Sequence, residues 1–175
     1  MNDQFFSQRI YLRPLTLNDV SQKYCDWLND PQVNQFLETR QTTLNQLKKY
    51  VSDQIADPKS FLIGIFDKEN NNHIGNVKFY LLDEAKKRAD FGIIIGDKNY
   101  WQAGFGTEAT KLAIDYGFKI LGFNEIELGV LAENIRGQKA FSKAGFKPIT
   151  VKKNYANHNG IWHDAILMEI KKYIR

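Results

Sequence analysis

The residues with the most definite chemistry lie in NYWQAGFGTEATKLAIDYGF, from Asn99 to Phe118. There Gly104-x-Gly106-x-x-Ala109 joins a β-rich run to a repeat of apolar residues at helical spacing, which describes a glycine turn feeding a helix N-terminus. Such a turn lets the backbone approach an anion, and the first N–H groups and the positive end of the helix dipole face it. The spacing also satisfies the dinucleotide fingerprint, with Glu125 about twenty residues on. The strands before it are hairpin-linked rather than part of a βαβ repeat, so that reading lacks its context. No Gly-Lys-Ser/Thr follows, which removes a nucleoside triphosphate loop. On the glycines alone, a phosphate cradle and a ligand-free turn needing positive φ are equally good readings.

The elements that must hold this turn follow from period and punctuation. RIYLRPL alternates and stops at Pro14, as an opening strand does. Asn18 or Thr16 can cap a helix carrying Val20, Tyr24, Trp27 and Leu28, which ends at Asn29-Asp30-Pro31. A second helix runs from about Thr43 to Ile55. FLIGIF, HIGNVKFYLL and RADFGIIIG are then short β runs between polar turns, read as antiparallel hairpins. The helix after Gly106 is stopped by Gly122, the strand EIELGVL follows, and Asn134 caps a helix that ends at Gly145-Phe146. FKPITVKKNYA and IWHDAILMEI form a last hairpin around NHNG. The order β-α-α-β-β-β-α-β-α-β-β describes an α/β (α+β) domain with a mixed sheet and helices on its faces.

The chain of 175 residues, 43% hydrophobic and 25% charged, has material for one packed core, and no repeat or linker marks a second domain. A net charge of +4 without a basic block gives no nucleic-acid arm. It favours anionic partners slightly. One cysteine, Cys25, excludes an internal disulfide, and no zinc pattern or other metal site is present. No run is long and apolar enough to span a membrane, and the N-terminus lacks a signal-peptide pattern. A cytoplasmic protein is expected.

Taken together, Arg88 to Phe146 resembles the Gcn5-related N-acetyltransferase (GNAT) superfamily. There a strand, a Gln/Arg-x-x-Gly-x-Gly/Ala turn, a long helix, a strand and an Asn-capped helix ending in Gly-Phe follow in this order. Tyr100-Trp101 before the turn, Thr107-Glu108 after it, Leu12-Arg13-Pro14-Leu15 and the closing Asp164-Ala-Ile-x-Met are similar to the branch of ribosomal-protein N-terminal and spermidine acetyltransferases. The resemblance implies a mostly antiparallel seven-stranded sheet flanked by about four helices and splayed between its fourth and fifth strands. It also implies acetyl-coenzyme A as the donor, with its pyrophosphate on the backbone of Trp101, Gln102, Ala103, Gly104, Phe105, Gly106 and Thr107. Pantetheine would lie along Ile93, Ile94 and Ile95 and against Asn134, with Lys143 near a phosphate. Asn134 reads equally well as a plain helix cap and Lys143 as a solvated surface charge. A homodimer is compatible with the resemblance.

Acetyl transfer to an amine needs a neutral lone pair, stabilisation of the oxyanion and a proton for the thiolate. At about 3.3 Å per residue, the strand from Gly96 back to Asp90 spans about 20 Å, the reach of an extended pantetheine arm. Asp90 then stands near the thioester as proton acceptor, or pairs with Arg88 or Lys87. Glu38, on the acceptor side in similar enzymes, binds or deprotonates the amine, or pairs with Arg40. His158, His163 and Asp164 lie on the last hairpin near the acceptor mouth, and His163 is the third candidate. Many relatives have Tyr where this chain has Phe141, which cannot donate a proton. Ser142, Tyr100, Tyr155 or water replaces it, or the leaving thiolate is protonated later.

The acceptor is expected to be a small primary amine. The acids of Cys25 to Arg40 number only Asp26, Asp30 and Glu38, few for a polyamine, while Tyr24, Trp27 and Phe36 suit a ring. An amino sugar, nucleotide-linked, leads; a protein N-terminus such as that of a ribosomal protein and a polyamine are the alternatives. A nonenzymatic acyl-coenzyme A-binding module is the alternative of another class.

Overall fold

The computed structural model describes residues 4–37, 41–158 and 160–173. One sheet runs through them in the order β1-β2-β3-β4-β5-β6-β8-β7. Its strands are β1 (Phe5–Phe6), β2 (Ile10–Pro14), β3 (Ser60–Asp67), β4 (His73–Asp83), β5 (Arg88–Ile95), β6 (Glu125–Leu131), β7 (Lys147–His158) and β8 (Ile161–Lys171). All neighbours are antiparallel except β5 and β6.

Seven strands were expected, and the described residues form eight. The addition is β1, whose two residues pair with Leu12 and Tyr11 and are too few to show a period. The helices among the described residues are α1 (Gln22–Asn29), α2 (Pro31–Asn34), α3 (Leu44–Ala56), α4 (Phe105–Lys119) and α5 (Ile135–Ala144), five where about four were expected. The addition, α2, is one turn that starts on Pro31, where proline fits a first helical position, and is capped by Asp30 through Gln32 N–H. Ser21 caps α1, accepting from Tyr24 N–H, while Thr16 caps the short 3-10 turn Leu17–Asp19 before it.

Apolar side chains alternate along the strands and build a core on each face. On one face Leu12, Ile65, Val77, Phe79, Phe91 and Leu128 meet Ala109, Ala113 and Tyr116 of α4. On the other, Leu15 and Leu62 meet Tyr24, Cys25 and Trp27 of α1 and Leu47 and Val51 of α3. The last hairpin differs: nearly every side chain of β7 is exposed.

The expected splay is present. β4 and β5 pair from Gly75–Ile95 to Asp83–Arg88, but β5 and β6 pair only at Arg88–Glu125, Ala89–Ile126 and Asp90–Glu127. Each strand is then drawn to its outer neighbour. The N–H groups of Gly96 and Asp97 both bond to Ile74 O, and Lys23 holds Asp97 at 2.7 Å. On the other side Leu131 stays paired with Ala165, and Ala132 N–H bonds to Asp164 O.

Candidate active site in the open sheet

A cavity of about 450 Å³ occupies the wedge. Phe91 to Ile95 form one wall and Leu128 to Leu131 the other, with the first turns of α4 and α5 at one mouth. At the second mouth stand Gln32, Gln35 and Phe36 from around α2, and Tyr155 and His158 from β7. Gly92 and Gly129 each lie two residues past the last paired step, so both face the side of α1 to α3. A side chain at Gly92 would meet nothing within 4 Å. At Gly129 a Cβ would lie 2.6 Å from the Tyr155 phenol oxygen, so that ring rests directly on the β6 backbone.

The glycine turn reverses through two left-handed residues, Gln102 (φ 64°) and Gly104 (φ 83°). No side chain caps α4, whose first-turn N–H groups therefore have no intrahelical acceptor. Glu108 is turned back towards the start of the chain. It accepts from Arg9 N–H at 2.9 Å and Ser7 Oγ at 2.7 Å, and pairs with the Arg9 guanidinium at 2.7 Å. Arg9 Nη1 donates to Ala103 O at 2.9 Å, and its Cζ sits 4.0 Å over the Phe105 ring. Burial alone would raise the Glu108 pKa, but the Arg9 N–H, the Ser7 hydroxyl and the guanidinium outweigh it and hold the carboxyl below its usual range. The turn is thus tied to the bend between β1 and β2, nearly a hundred residues away in the chain.

Trp101 donates its indole N–H to Ile95 O at 2.8 Å, and the ring packs on the α1–α3 core. Arg136, from the first turn of α5 across the cleft, lies 5.2 Å from that ring and brings a cation to the mouth. Asn134 lines the cavity and accepts from Gly137 N–H at 2.9 Å, so it is the helix cap. Lys143 is exposed, about 13 Å further along α5 and away from that mouth.

Of the expected proton acceptors, Glu38 lies outside the described residues. Asp90 is exposed at the last paired step, on the face of Gly92, with Tyr80 and Glu127 as strand neighbours. His163 faces away: its Nδ1 is 3.1 Å from Glu133 Oε1, which lowers the Glu133 pKa. His158, whose ring centre is 4.9 Å from that of His163, is the imidazole that lines the cavity. Asp164 is tied to Lys153 at 2.6 Å. Phe141 forms apolar wall against Phe91 and Phe146.

Sequence reasoning missed Arg9 and Arg136, which no spacing rule connects to the turn. It did not separate Tyr155 from Tyr100 or Ser142. Tyr100 donates its O–H to Asp67 Oδ2 at 2.7 Å, and Ser142 is exposed.

Among known proteins, a family model described as an acetyltransferase (GNAT) domain matches residues 9–147. An uncharacterised N-acetyltransferase, p20, of Bacillus licheniformis is 28% identical over 174 residues, 97% of either chain. The spermidine N-acetyltransferase of Vibrio cholerae, solved with coenzyme A and spermine, superposes with a TM-score of 0.84 at 24% identity, covering 93% of this chain and 95% of that one. A putative ribosomal-protein-serine acetyltransferase from the same organism gives 0.79 at 18% identity, covering 98% of each.

Proposed function

The chain belongs to the GNAT acetyltransferase family and is an N-acetyltransferase, and from that premise we propose that it acetylates the primary amine of a small molecule, an amino sugar, from acetyl-coenzyme A. The observation that carries this reading is the junction of a braced glycine turn with an open sheet, both on one cavity. The turn's backbone from Gln102 to Thr107 suits a pyrophosphate, with Arg136 as a cation opposite Trp101. Along Ile93, Ile94 and Ile95, every second N–H and C=O of β5 points into the wedge, where the amides of a pantetheine arm can pair with them. Asn134 stands beside that path. The donor, when bound, supplies a thioester carbonyl that accepts the amine.

Charge develops on the carbonyl oxygen as the amine adds, and the fixed β5 N–H groups near Gly92 stabilise it without reorganising. Asp90, one alternate residue from Gly92 on the same face, takes the proton that the acceptor's ammonium must lose. Side chains at the acceptor mouth are amides and rings, Gln32, Gln35, Phe36 and Tyr155, which suit a hydroxylated ring better than a polycation. A buried free Cys25 suits the reducing cytosol.

Thiol release from acetyl-coenzyme A, measured with glucosamine, a nucleotide-linked amino sugar, spermidine and peptides beginning in Ala or Ser, tests the reading. Turnover with an amino sugar is expected. Preference for spermidine or a peptide replaces the acceptor, and coenzyme binding without turnover on any amine overturns the enzymatic reading.

A further inference from the structure

A polyamine and an amino sugar both arrive as ammonium ions, and they differ in what trails behind the reacting nitrogen. The sugar brings hydroxyls, whereas a polyamine with one end near Gly92 leads further ammonium groups out past Gln32, Gln35 and Phe36. A carboxylate stands close to that exit. It is Asp30, which caps α2 by accepting from Gln32 N–H at 2.9 Å. Its ordinary pKa of 3.8 leaves it ionised at neutral pH, and its partner lowers the value further. That partner is Lys98, in the short turn Lys98–Tyr100 between β5 and the glycine turn. Its Nζ lies 2.5 Å from Asp30 Oδ2 and donates to Gln32 Oε1 at 3.0 Å. Gln32 lines the cavity, so the ammonium sits at the rim. Of the other acids in the acceptor segment, Asp26 accepts from Gln22 Nε2 at 2.7 Å, and Glu38 lies outside the described residues. An ion pair as exposed as Lys98–Asp30 adds little to stability. What a ligand meets there is its charge.

We infer that Lys98 is a specificity-determining residue, whose ammonium occupies the Asp30 carboxylate and turns polyamines away from the acceptor mouth in favour of singly charged ring amines. The inference deepens the amino-sugar reading above and rests on it. Two effects act together. The carboxylate that could pair with a second ammonium is already taken, and the group that takes it repels that ammonium as a like charge. The same lysine selects what Gln32 offers. An ammonium can only donate, so it claims the amide oxygen of Gln32 and leaves the amide nitrogen, a donor that can pair with a hydroxyl but not with an ammonium. Without Lys98, the rim would present a carboxylate and an amide oxygen, both suited to a polycation.

Binding of spermidine, measured by calorimetry, tests this independently of turnover. Lys98→Met should tighten the spermidine Kd about fivefold, the scale of one exposed ion pair, while glucosamine, with a single ammonium, gains less than about twofold. Adding Asp30→Asn, which keeps a capping side chain on α2, should return the spermidine Kd to within about twofold of the wild type. Lys98→Arg, which keeps the charge, should bind spermidine as the wild type does. The Kd for coenzyme A is expected to stay within about twofold in all of them, since Lys98 touches α2 and not the glycine turn. Spermidine affinity unchanged in Lys98→Met, a gain that survives Asp30→Asn, or parallel changes for every ligand including coenzyme A overturns the inference while the acetyltransferase reading stands. A wild-type enzyme that prefers spermidine to every amino sugar overturns the inference together with the amino-sugar reading. If the wild type turns over no amine, the enzymatic reading falls and the series of spermidine Kd values alone decides the role of Lys98.

Discussion

The sheet has two halves that meet at three paired residues, and they are built to different rules. Strands β1 to β5 are packed between α4 on one face and α1 and α3 on the other, so that Ile10, Leu12, Ile65 and Val77 are wholly buried. Strands β6 to β8 have a core on one face only, and on β7 Ile149 and Val151 are more than half exposed. The first half also carries the long-range braces: Arg9 to Glu108 and Ala103, Lys23 to Asp97, and Lys98 to Asp30 and Gln32. The lesson is a division of labour. The half that carries the glycine turn is covered and braced on both faces, whereas in the other half the outer strand β7 is a thin wall most of whose side chains can change without disturbing a core.

Substitutions at the seam and in the braced half test that division. The largest effect is expected at the seam. Asp90→Asn should lower kcat by about 10²-fold, the usual size of a lost general base, and abolish the acid limb of the pH–rate profile while leaving the acetyl-coenzyme A KM alone. An unchanged profile removes that role. Next comes the rigid half: Gly104→Val forces a β-branched residue to φ 83°, at a strain of about 1–3 kcal/mol, and the acetyl-coenzyme A KM should rise tenfold or more. Normal coenzyme affinity in that variant refutes the pyrophosphate cradle.

Arg9→Met keeps the turn's sequence but removes its brace, so a several-fold rise in the same KM is expected with kcat little changed. Acid should do this to the wild type as well. The Glu108 carboxyl sits below its ordinary value near 4.5, so its contribution is full above that value and is lost as pH falls through the depressed one. Melting temperature measured from pH 5 down to 3 should fall more steeply for the wild type than for Arg9→Met, and equal slopes would sink the brace.

A smaller effect is expected from His73, whose ring lies among Tyr24, Trp27 and Phe66. Burial pushes its pKa below 6.5, against the raising effect of Asn76. Between the two values the unfolded chain binds a proton that the folded one refuses, so stability declines as pH drops below about 6.5 and levels off under the folded value. A His73→Gln variant should lose that slope between pH 7 and 5.

Local features were legible in the sequence because local physics sets them. Asn134 as a cap, Gly122 and Gly145 as left-handed stops and the three hairpin-linked strands all follow from neighbouring residues. The parting of the strands came from the family resemblance, since nothing in RADFGIII or EIELGVL marks where pairing ends. The braces were invisible: Arg9 and Glu108 are 99 residues apart, and either alone is a surface charge. The choice between His158 and His163 turned on the register of the last hairpin, which composition does not fix. The same is true of Tyr155, whose place depends on a missing side chain on another strand.

Past Asp90 and Glu127 the facing edges of β5 and β6 are strand edges with no strand across from them. Such edges tend to recruit other chains. An amide-bearing molecule laid between them satisfies the same groups, and because it binds only the folded form it weights the folding equilibrium. At a hundred times its Kd that is about 2.7 kcal/mol, a large part of what holds a domain of this size together. On the function proposed above, the acetyl donor is such a molecule, and its supply would then add to the stability of the fold as well as feed its turnover.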